Sequence, residues 1–388
     1  MSRSQNQLNT ARRLLERYSF QAPFHLYLKQ YFAANRQHGS TDRRTLRDLC
    51  YAYFRIGQLW SALDVEERML SAYYIVHHDP IAFLHSLRPD WPAPSSSDPH
   101  IRATAIGKTV SASSVFPLLN ELSSEIDPSA FSLSHLTQPD LFIRIRPGRE
   151  AKVIQRLEAD QISYRRIGSD ALALENSTSL ENRFSIDVEV VIQDLSSQRI
   201  AEIFSLLPKR SKWNVWDACA ASGGKSILLY DHSKEIELTC TDVRSKILNN
   251  LSRRLGRAQV PVVRIQTDDL TVKKDRSELG AFDLIIADVP CSGSGTWART
   301  PEQLVAFKKD SINTHQQRQR QILSNLVPSL SADGFLLYLT CSVFEKENEA
   351  QVEWLTEHYP LKLVQAKLFA GYSQRADNLF AALFQYSA

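Results

Sequence analysis

Residues 213–242 read WNVWDACAASGGKSILLYDHSKEIELTCTD. In one short stretch they offer a strand of large apolar residues, a turn of small residues, an apolar helix and a second strand, the unit from which parallel sheets are built. Working outward, the alternation holds from about residue 190 onward. Strands are expected near WNVWDA, IELTCTDV, VPVVRIQT, FDLIIADV, GFLLYLTC, LKLVQAK and NLFAALFQY. Helices lie between them, including SKILNNLSRRLG and one long helix over PEQLVAFKKDSINTHQQRQRQILSNL. The pattern predicts an α/β, mostly parallel, doubly wound sheet over 190–388, and the short gap before the last strand predicts an antiparallel hairpin at its edge.

Upstream the character changes. Residues 1–130 are expected to be mainly helical, from the apolar periodicity of LRDLCYAYFRIGQLWSAL (46–63) and ERMLSAYYIVHHDPIAFLHSL (67–87), interrupted by a Pro and Ser loop, WPAPSSSDP, at 91–99. Residues 131–189 read as a small α/β module: strand-like LFIRIRP, an amphipathic REAKVIQRLEADQ, then short strands in SYRRI and ALALEN and one in VEVVIQD at the junction. A chain of 388 residues with 43% hydrophobic and 23% charged residues has the length and composition of a multidomain globular protein. No apolar run approaches the roughly 18 residues of a membrane span, and the first twenty residues lack the apolar core of a signal peptide. Five cysteines, odd in number and without a CxxC pair, argue against a disulfide framework or a zinc site, so a cytoplasmic location and no bound metal are expected. Nothing in the chain demands more than a monomer.

The net charge of +3 hides a local asymmetry. Residues 1–60 hold ten Lys or Arg against three Asp or Glu. Arg12, Arg13, Arg17, Arg43, Arg44 and Arg47 recur at helical spacings near Tyr31, Phe32, Tyr51, Tyr53 and Phe54, a mix that suits RNA phosphates with aromatic support. A solvated basic face over ordinary core aromatics explains the same pattern equally well.

The turn Cys219, Ala220, Ala221, Ser222, Gly223, Gly224, Lys225 leads directly into a helix, so unpaired N–H groups at the helix start would face a ligand that small side chains allow to approach. It contains neither GxGxxG nor GxxxxGK[ST], which argues against NAD and ATP and leaves S-adenosyl-L-methionine. Asp242 ends the second strand, where acidic residues bind ribose hydroxyls. Asp268, with Asp269 beside it, ends the third and is placed for the adenine. Any one of these aspartates alone reads as a turn residue; three in strand-end register behind a glycine turn read as a site.

Cys291 in ADVPCSGSGT and Cys341 in YLTCSVFEKEN each follow an apolar strand of the same sheet. Carbon 5 of cytosine becomes nucleophilic when a thiolate adds to carbon 6, and two convergent thiols suit such addition and the later elimination. Asp288 is placed to hydrogen-bond cytosine N3 or its exocyclic amine. Cys50 and Cys240 read as core residues.

Four ordered motifs, QDLSSQ (193–198), DACAASGGK (217–225), DVPCSGSGT (288–296) and TCSVFEKEN (340–348), resemble the RsmB/Nop family of RNA 5-cytosine methyltransferases, bacterial ribosomal RNA type. ARTPE (298–302) is similar to the segment that follows the family's first Cys motif. The resemblance implies a class I S-adenosylmethionine-dependent methyltransferase domain with a seven-stranded mixed sheet. It implies that Cys219–Lys225, Asp242, Asp268 and Asp288 surround the cofactor, that Cys341 is the nucleophile, and that Cys291 assists proton removal and product release. GSTDRRTLRDLCYAYFRI (39–56) looks like part of the family's NusB-like helical domain, and the 131–189 module takes the place of its RNA-recognition-like extension, with Arg144 and Arg146 on one strand face. The chain departs from the family at Ser222 (usually Pro), Val289 (usually Ala), the SADG turn and DNLFAAL.

The expected reaction is therefore methylation of a cytosine in ribosomal RNA, with transfer RNA as the second substrate class. Amino-group methylation, which needs no thiol, and a non-catalytic RNA-binding assembly factor are the competing readings.

Overall fold

A computed structural model describes residues 2–77 and 81–387. Residues 78–80, within the apolar run 67–87, therefore lie outside the described residues. The chain divides into two compact units: residues 1–122, 127–138 and 296–309 form one, and residues 123–126, 139–295 and 310–388 the other.

The first unit is helical. Its principal helices are Arg3–Arg17, Phe24–Ala34, Ser40–Arg55 and Val65–Val76. Ser2 and Asp64 cap the first and last of these by accepting hydrogen bonds from first-turn N–H groups. Phe54 is buried, and Tyr31, Phe32, Tyr51 and Tyr53 pack against the same core, so the aromatics of the basic region hold the helices together. Cys50 lies fully within that core. Arg12 pairs with Glu16 and Glu66 and Arg47 with Asp48, while Arg13, Arg17 and Arg44 are exposed.

The helix expected over 301–326 is two helices, Pro301–Ala306 and Ser311–Leu326. Phe307 turns the backbone out of the helix at φ −71°, ψ 137° and lays its ring on Trp297, 4.8 Å away, so burial of one aromatic outweighs helical continuity. The break divides the segment between the two units. In the first, Glu302 is buried and accepts the Phe24 N–H at 3.2 Å.

The second unit contains two sheets. The smaller comprises β1 (Leu141–Ile145), β2 (Tyr164–Arg166), β3 (Ala171–Leu174) and β4 (Val190–Ile192) in the antiparallel order β2-β3-β1-β4, with the helix Glu150–Ala159 between β1 and β2. Arg144, in β1, and Arg146, the residue after it, point the same way, but inward. Both guanidiniums bind the Asp231 carboxylate, at 2.8 and 2.6 Å, on the helix Gly224–His232. They join the module to the large sheet and are not presented to RNA. Because Asp231 is 4% exposed and Arg144 2%, Asp231→Ala leaves buried cations without their counterion. The expected loss is about 3–5 kcal/mol, read as a lower thermal unfolding midpoint.

The large sheet comprises β5 (Trp213–Asp217), β6 (Ile236–Asp242), β7 (Val262–Thr267), β8 (Phe282–Asp288), β9 (Leu330–Thr340), β10 (Leu361–Ala370) and β11 (Asn378–Tyr386). Their order is β10-β11-β9-β8-β5-β6-β7. β5 to β9 are mutually parallel, and β11 runs antiparallel to both its neighbours. The final hairpin forms as expected, but β11 inserts between β9 and β10, which leaves β10 at the edge. Val215, Leu284, Ile285, Ile286, Leu337 and Leu339 are buried, as central parallel strands covered on both faces require. Between β5 and β8 the strand order reverses direction, and ligands of open α/β sheets bind outside the carboxyl ends of the strands at such a point.

Candidate active site

A cleft of about 400 Å³ opens at that point. It is lined by the turn after β5, the ends of β6, β7 and β8, and one face of the helix Ser311–Leu326. Of the residues expected from sequence, Cys219, Ala221, Asp242, Asp268, Asp288, Cys291 and Cys341 line it, and so does Asp269. Ala220, Ser222, Gly223, Gly224 and Lys225 are not on its wall; they form the turn behind it.

That turn is shaped by its small residues. Gly223 has φ +83°, and a Cβ there would stand 2.6 Å from Leu251 Cδ1, so the residue answers both a backbone and a packing requirement. No side chain caps the helix that begins at Gly224. Its first N–H groups thus remain available to a ligand, which fits S-adenosylmethionine. Ser222, where the resemblance leads one to expect Pro, accepts a hydrogen bond from Arg254 at 2.9 Å, and Arg254 in turn binds the buried Asp187.

The carboxylates differ in availability. Asp242 accepts the Ala221 N–H at 3.0 Å and the Arg244 guanidinium at 3.0 Å. Burial pushes its pKa upward, but the hydrogen bonds from Arg244 and Ala221 outweigh that and hold it below the usual range. Arg244 is 60% exposed, so the Asp242–Arg244 pair costs little to open. Asp268 is bound by Arg276, itself 5% exposed, at 2.8 Å and by Lys274 at 2.8 Å. Its carboxylate is therefore already committed to those two cations. Asp269 folds onto Thr271.

Asp288 accepts a hydrogen bond from Lys225 Nζ at 2.9 Å. Burial disfavours the ammonium, yet the adjacent carboxylate prevails and raises the Lys225 pKa. Asp217, behind the turn, is 1% exposed; one oxygen accepts from Ser226 at 2.6 Å and the other has no partner. Burial pushes its pKa up to about 7, against the Ser226 hydrogen bond. A carboxyl raised in the folded state stabilises fully below its ordinary value near 3.8, and that stability is lost as pH rises toward 7. Asp217→Asn, which does not titrate, should gain on the wild type by roughly 4 kcal/mol between pH 4 and pH 8. Urea unfolding of both proteins across that range checks the sign.

The two cysteines meet. β8 and β9 lie side by side with Asp288 opposite Leu339, so Cys291 and Cys341 leave the sheet together. Their sulfurs are 3.3 Å apart. The Gly295 N–H donates to the Cys341 carbonyl at 2.8 Å, and a Cβ on Gly295 would come within 2.4 Å of the Asn378 carbonyl, which explains why the CSGSG loop has glycine there. The hydrogen bond to Cys341 and burial together raise the Cys291 pKa well above the ordinary thiol value. Cys240 is fully buried within β6 and takes no part in the cleft.

Val243, Arg244, Leu270, Thr271, Pro290, Arg318 and Ile322 also line the cleft and were not foreseen. Arg318 and Ile322 had one available signal, their four-residue spacing on a helix preceding β9. Among the described residues there is no group of three or more His, Cys, Asp or Glu able to hold a metal, and no helix long and apolar enough to cross a membrane.

Residues 203–381 match the model of the 16S rRNA methyltransferase RsmB/F family. Ribosomal RNA small subunit methyltransferase B of Xylella fastidiosa (strain 9a5c) is 32% identical over 216 residues, 55% of this chain and 50% of that protein. The probable ribosomal RNA small subunit methyltransferase B of Bacillus subtilis (strain 168) is 29% identical, over 58% of this chain and 51% of its own length. The chain spans about half the length of the curated relatives it matches. Among solved structures, PH0851 superposes with a TM-score of 0.69 over 96% of both chains at 20% identity. NSun6 from Pyrococcus horikoshii, solved with SFG, superposes with a TM-score of 0.57 over 70% of this chain and 97% of its own at 14% identity. The class I S-adenosylmethionine-dependent methyltransferase fold expected from the motifs is present.

Proposed function

We propose that this chain, whose residues 203–381 carry an RsmB/Nop-type RNA methyltransferase domain, methylates carbon 5 of a cytosine in ribosomal RNA. The observation that carries the reading is the 3.3 Å approach of two cysteine sulfurs on the wall of the cleft that also holds Asp242 and Asp288. Amino-group methylation has no use for such a pair.

S-adenosylmethionine, bound along the Cys219–Lys225 turn and Asp242, supplies an electrophilic methyl group. The chain's own residues do the rest. Cys341 adds its sulfur, as the thiolate, to cytosine carbon 6 and makes carbon 5 electron-rich. Asp288, held by Lys225, hydrogen-bonds the ring at N3 or the exocyclic amine. Once carbon 5 carries the methyl group, Cys291, as the thiolate, takes the carbon-5 proton while the carbon 6–sulfur bond breaks and Cys341 leaves as the thiolate. A cytosine within a helix must be flipped out to reach this cleft. Arg13, Arg17 and Arg44 offer exposed cations for RNA phosphates elsewhere on the chain.

The test is transfer of isotopically labelled methyl groups to ribosomal and transfer RNA from cells lacking the protein, followed by nucleoside mass spectrometry. Label on 5-methylcytosine from ribosomal RNA is the expected result. Label on another nucleoside sinks the two-cysteine mechanism, and label on transfer RNA alone sinks the ribosomal assignment.

A further inference from the structure

Glu347, next to last in the TCSVFEKEN segment, is fully buried behind the two cysteines. A buried carboxylate is costly unless donors surround it, and here the donors come from both cysteine loops. Its Oε1 accepts the Ser292 N–H and the Gln319 side-chain amide, each at 2.9 Å. Its Oε2 accepts the Ser292 hydroxyl at 2.5 Å and the Ser342 hydroxyl at 2.6 Å. Ser292 directly follows Cys291, and Ser342 directly follows Cys341. Gln319, also buried, donates to the Pro290 carbonyl at 3.3 Å and takes hydrogen bonds from Tyr338 and Gln351, which fixes the carboxylate from behind.

We propose that Glu347 is a positioning residue that ties the loop after Cys291 to the loop after Cys341 and so sets the separation of the two sulfurs. Its role in methyl transfer rests on the two-cysteine reading above. The strand pairing of β8 with β9 ends at Asp288 and Leu339, apart from one further hydrogen bond from the Val289 N–H to Leu339. Beyond that point β8 and β9 no longer pair, and loop-to-loop hydrogen bonds take over: Gly295 to the Cys341 carbonyl, Val343 to Ser294, and the Glu347 bridge, which is the one that ties the residue after each cysteine to a single carboxylate. The negative charge of Glu347 acts in the same direction as the hydrogen bond to Cys341 and burial, raising the Cys291 pKa.

Two measurements on Glu347→Gln test this. In the first, without RNA, diamide oxidises the Cys291 and Cys341 thiols to a disulfide that mass spectrometry quantifies. Loosened loops should slow closure about tenfold relative to wild type. In the second, turnover should fall about 100-fold, as misplacement by about 1 Å does, with KM for RNA and cofactor within about threefold of wild type. Ser342→Ala removes one of the four hydrogen bonds to the Glu347 carboxylate and is the milder variant should Glu347→Gln fold poorly; it should lower turnover in the same sense, and its effect should largely vanish in the Glu347→Gln background. Closure as fast in the variant as in the wild type, or fully additive losses, overturns the clamp whatever the activity. Cys341→Ala that still methylates overturns the two-cysteine reading itself, and with it the part Glu347 plays in catalysis.

Discussion

Cys341→Ala is expected to lower methyl transfer at least about 1,000-fold while leaving the affinity for S-adenosylmethionine within about threefold of wild type. The split follows from the site. The cofactor contacts proposed above lie on the turn after β5 and on Asp242, whereas Cys341 stands one residue beyond β9 against Cys291. Removing its sulfur deletes the group that makes carbon 5 reactive and disturbs little else, because the clamp on Ser342 and the Gly295 hydrogen bond to the Cys341 carbonyl use atoms that alanine retains. Isothermal titration with the cofactor and a labelled-methyl assay measure the two halves. Preserved turnover would show that the methyl group goes to a nitrogen, where no thiol is needed.

Cys291→Ala should behave in the opposite manner. Attack by Cys341 remains possible, but the neighbouring sulfur proposed to take the carbon-5 proton is gone, so release stalls. A protein and RNA adduct that survives denaturation should accumulate to a substantial fraction of the enzyme, visible as a shifted band on a denaturing gel, and multiple turnover should fall about 100-fold. Adduct formation needs Cys341, so the Cys291→Ala, Cys341→Ala double variant should show none. Free turnover by Cys291→Ala without adduct would remove Cys291 from the release step. Together the two variants separate attack from release, which neither can do alone.

The same pair shows how much a linear reading reaches. The motifs around Cys291 and Cys341 are fifty residues apart, yet each follows an apolar run, and apolar runs at this spacing become neighbouring parallel strands. Convergence at the strand ends could therefore be anticipated. The inward turn of Arg144 and Arg146 could not: alternation along the chain places them on one face, but only the helix carrying Asp231, packed against that face, makes it an interior one. Glu347 is a comparable case, since nothing local in FEKEN tells a buried bridge from a solvated charge.

Local patterning was enough for the α/β alternation, the small-residue turn at a helix start and the placing of Asp242, Asp288 and both cysteines at strand ends, because each depends on neighbours along the chain. Pairing belongs to the tertiary structure. The insertion of β11 between β9 and β10 and the hydrogen bonds that bring Ser292 and Gln319 to Glu347 depend on which elements come to lie side by side. Burial then decides the outcome, since a charge or ring taken out of water must find its partner wherever packing has put one.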